Sequence, residues 1–495
     1  MGIGTARKVA AGAGVYAALV AAHGPLLRLP YFWDEAGYFV FAGLDVLRHG
    51  WLIPHSTQAN GHPPLLSVYL AGAWLLAGFH PWVTRVAMLA WAAALALGIE
   101  RLARPRLKRQ SWVAALLVML APLVFAQASL AQLDLPVAAL VVWALALGDE
   151  GRGWPEAGLL AAACLTKETA AIVPLALLLL PSRRSVRLLL PLAAVAAWFL
   201  YFHHATGFWL GSPDYWDYNV AQAAFSPGRI GLALLRRIWQ LGFYDGVGAV
   251  TAVAAWSCWR RQMGRMPAAW MAVIVAYVLF HAVVGGAVLA RYLLPALALW
   301  LLWCTEQILA LPRAGTWVAG CAAVLVAGWF WNPPYPFPFE DNLAYVQFVR
   351  LHQAAAQALE AAPPPGPVWT AWPASDELSR PELGYVHRPL AVHEIENFTP
   401  SAMEQVQGAP AALLLFSRVY QPQQDLSAAL PLWREAAKRF FGYAAAAPPD
   451  VWMAKFRMQP VWRMAGGGQW ILLARSSAAS APARAAPARA APGRQ

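Results

Sequence analysis

Residues 81–126 have the sequence PWVTRVAMLAWAAALALGIERLARPRLKRQSWVAALLVMLAPLVFA, and this pattern indicates the fold class. An apolar run over 82–100 is followed by a basic segment, 101–109, that contains no acidic residue, and then by a second apolar run over 111–126. A helix of about 20 apolar residues crosses the hydrocarbon core of a bilayer, and short loops rich in Lys and Arg stay in the cytoplasm. The stretch therefore predicts two membrane-spanning helices joined by a cytoplasmic loop.

The composition of the whole chain supports a polytopic α-helical membrane protein. Its 495 residues are 59% hydrophobic and 13% charged, whereas soluble domains average roughly 45–50% and about 25%. These values exclude an ordinary cytosolic enzyme, a disordered protein and a disulfide scaffold. The 26 Trp residues suit membrane–water interfaces. The net charge of +12 resides largely in short loops between apolar runs, so it indicates topology rather than nucleic-acid binding. The four cysteines lie in apolar segments without metal-ligand spacing and are interpreted as packing residues.

The alternation of apolar runs and basic loops predicts about 11 membrane crossings. The first, 9–29, follows two basic residues and leaves the N-terminus in the cytoplasm; a cleaved signal peptide is the alternative. Run 65–79 is interpreted as a helix lying at the outer interface, and 156–181 as a hairpin of two short helices with its turn outside. The other spans are predicted at 82–100, 111–126, 131–148, 187–203, 241–259, 267–285, 292–311 and 315–332.

This topology divides the chain into a membrane module and a domain outside the cytoplasm. The module covers residues 1–335 and contains a long first external loop, 30–64. Residues 336–475 have the composition of a soluble domain, with strand-like and helical patterns that predict a small periplasmic α/β unit. The tail, 476–495, consists of Ala, Pro and Arg repeats and is expected to be disordered.

Ionisable residues recur at the outer ends of the predicted spans, where charged groups are costly and are candidates for function. Asp34 and Glu35 follow the first span, Asp134 begins the fourth, and Lys167 and Glu168 occupy the turn of the hairpin. Structural alternatives stay open at this point. Asp34 and Asp134 suit helix N-caps, and Lys167 and Glu168 could form a neutral ion pair with each other. A single site that gathers all of them is the more economical interpretation.

Five short motifs occur in an order that resembles a known group of enzymes. They are Trp33-Asp34-Glu35, Gly61-His62-Pro63-Pro64-Leu65 with Arg85 in the following helix, Leu133-Asp134-Leu135-Pro136, Leu165-Thr166-Lys167-Glu168, and Arg291-Tyr292-Leu293-Leu294-Pro295. This order resembles membrane glycosyltransferases of the GT-C superfamily. The resemblance is greatest to the branch of the protein O-mannosyltransferases and the lipid A aminoarabinose transferases (glycosyltransferase families 39 and 83).

The resemblance implies an inverting glycosyltransferase with a polyprenyl-phosphate-linked sugar as donor and a lipid, polysaccharide or protein as acceptor. A carboxylate can take the proton of the acceptor hydroxyl, and Asp34 is the candidate base, with Glu35 and Asp134 as the other catalytic candidates. The leaving phosphate needs cations or hydrogen-bond donors, and the candidates are Lys167, Arg291, His62 and His203. Candidates for binding the donor or the acceptor are Glu168, Tyr292, Trp209, Tyr215 and Asp217.

Several alternatives accompany this hypothesis. A transporter or flippase of lipid-linked sugars would use similar ligands, although no internal repeat typical of transporters is evident. A catalytically silent membrane scaffold is a third possibility. No cofactor is expected, although Asp34 and Asp134 could hold a divalent cation. The expected location is a bacterial-type inner (plasma) membrane, with the C-terminal domain periplasmic.

Overall fold

The computed structural model describes residues 3–216, 226–260, 264–284 and 286–476. The described chain separates into two compact units. The first comprises residues 1–349 and 419–443, and the second comprises 350–418 and the chain from 444 onward. The second unit thus starts at residue 350, where the sequence suggested 336, and the segment 419–443 packs with the first unit. The tail that was expected to be disordered lies, from residue 477, outside the described residues.

All regular secondary structure described in the first unit is helical. Its helices are α1 (Ile3–Ala22), α2 (Val40–His49), α3 (Leu65–Ala77), α4 (Pro81–Leu107), α5 (Ser111–Leu120), α6 (Pro122–Gln127), α7 (Asp134–Asp149), α8 (Gly153–Thr166), α9 (Ile172–Leu178), α10 (Leu189–Thr206), α11 (Pro213–Trp216), α12 (Pro227–Gly242), α13 (Val247–Arg260), α14 (Ala268–Val283), α15 (Leu294–Leu309), α16 (Ala314–Gly328), the first turns of α17 (Ala344–Ala361), and α20 (Pro431–Phe441). A short π-helix, Glu35–Phe39, precedes α2, and a 3₁₀ turn, Ala290–Leu293, precedes α15.

Three helical stretches of the described chain are long and apolar enough to cross a membrane, namely 81–120, 186–206 and 290–309. Shorter apolar helices accompany them, including Ala268–Val283 and Ala314–Gly328. The total of about 11 crossings stays a prediction. In the basic segment 101–109, α4 continues to Leu107, farther than the apolar run. Arg104 bonds Glu100 one turn earlier at 2.8 and 3.0 Å, and such a pair stabilises a helix.

The core of the first unit forms where α4, α7 and α15 pack together. Every residue of α7 from Asp134 to Leu147 is buried except Trp143, as expected for a helix that is apolar on all sides. Gly98 of α4 permits the approach of α7. A Cβ atom at this position would lie 2.8 Å from the Trp143 ring and 3.1 Å from Val142. The amino ends of these helices carry charged residues of the motifs, namely Arg85 in α4, Asp134 in α7 and Arg291 just before α15, so their packing places the site.

The second unit contains a five-stranded sheet. The strands are β1 (Val368–Ala371), β2 (Val392–Ile395), β3 (Ala412–Phe416), β4 (Met458–Gly466) and β5 (Gln469–Ser476), in the spatial order β2-β1-β3-β5-β4. β1 pairs in parallel with β2 and β3, whereas β5 is antiparallel to β3 and β4. The accompanying helices are the rest of α17, α18 (Ala374–Ser379), α19 (Pro400–Gln405) and α21 (Pro449–Phe456).

Candidate active site

The first motif forms a tight turn that fixes Asp34 and Glu35 in opposite environments. Trp33 adopts a left-handed backbone with φ +50°, a conformation that costs energy for a non-glycine residue and is frequent at functional sites. Glu35 is fully buried and forms an ion pair with Arg85 of α4. Its carboxylate also accepts hydrogen bonds from the backbone N–H groups of Phe32 at 2.9 Å and Ala131 at 2.5 Å. Glu35 therefore fastens the turn to α4 and to the loop before α7, and its catalytic role stays a prediction.

Arg291 is the centre of the charged cluster. Its side chain is 5% exposed and lies in the 3₁₀ turn before α15. One terminal nitrogen donates to Asp34, and the other donates to Gln132 and lies 3.3 Å from Glu340. Its Nε lies 3.5 Å from the Asp134 carboxylate. The structure thus brings together Asp34, Asp134 and Arg291, which are far apart in the sequence.

Asp134 and Lys167 extend this cluster on the other side. Lys167 donates to Asp134 at 2.6 Å, and its ammonium lies 4.0 Å from the centre of the Tyr292 ring. The interpretation of Lys167 and Glu168 as a mutual pair is wrong, because helix α8 ends at Thr166 and the extended backbone at Lys167 directs the two side chains to different partners. Asp34 occupies the N-cap position of the short π-helix without a side-chain capping hydrogen bond, and Asp134 is the first residue of α7, whose N-cap is Leu133. We name Asp34, Gln132, Asp134, Lys167, Arg291 and Glu340 the Arg291 cluster.

Glu168 instead holds His62. The imidazole Nδ1 lies 2.7 Å from a Glu168 oxygen, and Nε2 lies 3.4 Å from the Tyr215 hydroxyl. Burial opposes ionisation of Glu168, but His62 and Lys167 lower its pKa below the ordinary value. The predicted residues His62, Glu168 and Tyr215 therefore form a second polar group. His62 also borders a small cleft, whose lining includes Tyr38, Phe39, Thr57, Asn60 and Leu133.

Two residues of the Arg291 cluster were not among the predicted site residues. Glu340 follows α16 in a Pro-rich segment that the sequence assigned to the C-terminal domain, and Gln132 was quoted only beside Asp134. Gln132 donates to Glu340 at 3.2 Å. Burial raises the pKa of Glu340 to about 7; Asp34 adds to this effect and Arg291 opposes it. The acidic pair Glu340-Asp341, which follows the Pro-rich segment after the predicted span 315–332, was the only available signal.

Other predicted residues lie apart from this cluster or outside the described chain. His203 stacks on Trp209, with ring centres 3.9 Å apart, and neither contacts the Arg291 cluster among the described contacts. Trp209 is 55% exposed, which suits an interfacial anchor. Asp217 lies outside the described residues. The described residues contain no group of three His, Cys, Asp or Glu side chains that could hold a metal ion. Asp34 and Asp134, the two candidate ligands for a divalent cation, both contact Arg291.

The comparisons with known proteins agree with the glycosyltransferase interpretation. Residues 62–290 match the family model described as Glycosyltransferase family 87. No curated protein matches the chain. The fold is similar to that of ArnT from Cupriavidus metallidurans bound to undecaprenyl phosphate, with a TM-score of 0.55 at 14% identity over 97% of this chain and 99% of that one. The apo state of the same protein gives a TM-score of 0.54 at 14% identity, over 94% and 98%.

The family-model match and the structural similarity each support a different part of the glycosyltransferase interpretation. The family model covers the segment that contains His62, Asp134, Lys167 and Glu168, and the structural similarity extends over almost the whole chain. Neither result supports the transporter or the silent scaffold. Together they agree with the resemblance inferred from the five motifs, because a segment of the chain matches a glycosyltransferase family model and the whole fold is similar to that of a structure of ArnT.

Proposed function

We propose that this enzyme transfers a sugar from a polyprenyl-phosphate-linked donor to an acceptor hydroxyl outside the cytoplasm, with inversion at the anomeric carbon. The observation that carries the proposal is the meeting of Asp34, Asp134, Lys167 and Arg291 in one cluster. The solved structure of ArnT with undecaprenyl phosphate supports a lipid-phosphate donor for this similar fold. The acceptor is a lipid, a polysaccharide or a protein.

Asp34 is the proposed general base because it is the most accessible carboxylate of the cluster. Its side chain is 20% exposed, whereas those of Asp134 and Glu340 are 7% and 5% exposed. The acceptor oxygen attacks the anomeric carbon, its proton passes to Asp34, and the bond between that carbon and the phosphate oxygen breaks. Polyprenyl phosphate leaves with the bonding electrons. A single displacement of this kind inverts the anomeric configuration.

The remaining members of the cluster stabilise the charges that develop during this step. Glycosyl transfer passes through an oxocarbenium-like state, which the nearby Asp34 carboxylate favours. The growing charge on the phosphate requires fixed donors, and Lys167 and Arg291 supply them. Asp134 holds Lys167 at 2.6 Å and so sets the position of the ammonium. Arg291 is bound to Asp34 in this structure, so donor binding at Arg291 would release Asp34 for its role as base.

The cleft beside His62 is the proposed route of the acceptor to this base. Tyr38 lies one turn after Asp34, and Leu133 directly precedes Asp134, so the cleft adjoins the cluster. Its Tyr, Thr and Asn side chains suit the hydroxyl groups of a carbohydrate, and Phe39 offers an apolar face. No cofactor is proposed. We propose an inner-membrane location, with the N-terminus in the cytoplasm and the site at the external face.

The test uses the purified full-length chain with radiolabelled polyprenyl-phosphate sugar. The native protein is expected to transfer or hydrolyse the sugar, and Asp34→Asn is expected to lower the rate by about 10²–10⁴-fold, the usual contribution of a general base. Asp450→Asn, which removes an exposed carboxylate of the second unit, is the matched control. Unchanged turnover in a folded Asp34→Asn protein would exclude Asp34 as the base.

Three further measurements complete the test. The anomeric configuration of the product, read by NMR, is expected to be opposite to that of the donor, and retention would contradict the single displacement. EDTA is expected to leave the rate unchanged, whereas loss of activity that Mg²⁺ or Mn²⁺ restores would favour the metal alternative. Movement of intact donor across the membrane without cleavage would support a flippase instead.

A further inference from the structure

The segment 419–443 carries a helix that the sequence assigned to the C-terminal domain but that packs with the first unit. The backbone N–H of Leu426 donates to the carbonyl of Pro334 at 2.9 Å. The ring centres of Tyr420 and Phe337 lie 4.9 Å apart. These contacts hold the start of the segment against the chain that follows α16, and helix α20 comes directly after them.

Helix α20 has one apolar side and one charged side. Its sequence is PLWREAAKRFF, in which the large apolar residues recur at the spacing of one helix face. The apolar side carries Leu432, Trp433, Ala436, Phe440 and Phe441, and the other side carries Arg434, Glu435, Lys438 and Arg439. A helix of this kind suits the boundary between an apolar phase and water.

Helix α12 covers the C-terminal end of this apolar side. A Cβ atom at Gly228 would lie 2.9 Å from the Phe440 ring, and the Arg229 guanidinium carbon lies 5.4 Å from the centre of the Phe441 ring. At the other end of α20, Leu432 is 88% exposed. No residue of α20, which the structure describes in full, is buried. An apolar face that continues beyond its contact with the protein marks an interaction surface.

Helix α12 indicates the kind of surface, because its polarity is the reverse of that in a water-soluble protein. Arg229 and Arg237 are buried on it. Leu235, Ile238 and Trp239 are exposed. Where a helix borders lipid, charged side chains face the protein interior and large apolar side chains face outward. Because α20 packs against the first turn of α12, it lies next to an element that is suited to contact with lipid.

The charged side of α20 favours an anionic partner. Arg434, Lys438 and Arg439 outnumber the single acid, Glu435, and all four side chains are exposed. Amphipathic helices with basic residues on the polar side bind membranes through buried apolar area and through attraction to anionic headgroups. Trp433 also suits this position, since indole rings are enriched at the membrane–water interface.

We propose that α20 docks on the external surface of the membrane beside α12. Leu432 and Trp433 enter the apolar layer, and the basic residues of the opposite side contact the headgroups of anionic phospholipids. The occupant of the exposed apolar face is therefore a phospholipid surface. Docking fixes the chain between β3 and α21 to the bilayer. The inference extends the proposed external position of the C-terminal chain and does not depend on the chemistry of Asp34.

The experiment places a fluorescent label on the full-length protein in lipid nanodiscs. Leu432→Cys is labelled with nitrobenzoxadiazole, and lipids with brominated acyl chains quench the label where it contacts the apolar layer. Leu235→Cys on α12 is the positive control, and Val461→Cys on β4, a residue that is 48% exposed, is the negative control. Quenching is expected at 432 and 235 but not at 461. Label on the four natural cysteines, read from the native chain, is subtracted.

Charge variants of the labelled protein test the headgroup contact in bilayers of phosphatidylglycerol. Arg434→Gln and Lys438→Gln are each expected to lower the ratio of lipid-contacting to water-exposed label about fivefold, the effect of one basic residue near an anionic surface. In phosphatidylcholine bilayers neither is expected to change the ratio by more than about twofold. Arg463→Gln on β4 is the matched control, and Glu435→Gln is expected to shift the ratio in the opposite direction. These side chains are exposed, so the substitutions leave the fold intact.

Three outcomes would overturn the proposal. A label at Leu432→Cys that is not quenched, while the label at Leu235→Cys is quenched, would place α20 away from lipid. Energy transfer between the Leu432→Cys labels in discs that hold two copies, together with protection from brominated lipid, would identify a second copy of this chain as the occupant. Equal ratios in the native, Arg434→Gln and Lys438→Gln proteins in phosphatidylglycerol would exclude anionic headgroups as the partner.

Discussion

The charges of the Arg291 cluster do not cancel if every acid is ionised. Among the ion pairs of the described residues, Asp34, Asp134 and Glu340 pair with two cations, Lys167 and Arg291. Buried charge without compensation is costly, and one acid can relieve it by keeping its proton. Glu340 is the acid that does so, because burial raises its pKa to about 7. Its proton therefore adjusts the charge of the cluster near neutral pH.

Glu340→Gln is expected to flatten the dependence of stability on pH. Unfolded Glu340 loses its proton near its ordinary pKa of 4.5, whereas the folded protein keeps it until about 7. Folding therefore takes up a proton between these values, and stability falls as the pH rises through them. Removing the carboxyl is expected to reduce this loss by about 1–3 kcal/mol, measured by thermal unfolding in detergent at about pH 5 and about pH 8.

A comparison variant separates this effect from a general change in charge. Glu360 lies at the surface of the second unit, where His387 lowers its pKa, so Glu360→Gln is expected to leave the slope over this window nearly unchanged. Burial also raises the pKa of Asp341, to about 6, and a residual slope from Asp341 is expected in the Glu340→Gln protein. A slope identical to that of the native chain would show that Glu340 is ionised throughout.

At the scale of elements, the contact between α4 and α7 controls the position of the site. Arg85 lies on α4 and Asp134 begins α7, so the distance between these helices sets the spacing of the Glu35 anchor and the Arg291 cluster. Trp143 donates from its indole to the carbonyl of Ala94 at 2.7 Å and lies over Gly98. The absence of a side chain at Gly98 thus determines how closely α7 approaches.

Gly98→Ala is expected to destabilise the protein by about 1–3 kcal/mol, the usual cost of overpacking. The added methyl group would lie 2.8 Å from the Trp143 ring, and a bulky ring held by a hydrogen bond cannot move without losing it. Gly72→Ala on α3 is the matched control, since no atom lies within 4 Å of its added Cβ. The control is expected to stabilise by about 0.5–1 kcal/mol through helix propensity. Equal thermal stability of the two variants would contradict this view of the helix contact.

For the whole molecule, the proposed reaction requires that the site face away from the cytoplasm. The sequence places its basic loops inside and the chain after residue 333 outside. Alkaline phosphatase, which is active only outside the cytoplasm, is expected to be active when fused after residue 476. Green fluorescent protein, which fluoresces inside, is expected to be dark there. The same reporters inserted after Arg184, in a predicted cytoplasmic loop, are expected to give the opposite pattern. Fluorescence of the C-terminal fusion would contradict the topology.

Composition and charge pattern determined the class of this protein. A helix that crosses the hydrocarbon core must be long and apolar, and basic loops indicate which side of the membrane a loop occupies. Both the spans and their orientation therefore depend on contiguous residues and can be predicted from the sequence. The five motifs in order were sufficient to indicate a GT-C glycosyltransferase, because each is a short contiguous segment. They also located Asp34, Asp134, Lys167 and Arg291 as residues of one site.

Only the tertiary structure could decide which charges are partners. Glu35 and Asp34 are adjacent in the sequence, yet one is buried against Arg85 and the other contacts Arg291. Lys167 and Glu168 likewise separate to Asp134 and His62. Glu340 and Gln132 were not among the predicted site residues, yet both contact Arg291. Ion pairing and desolvation depend on distances between helices that are remote in sequence, and these distances are set by packing rather than by any local pattern.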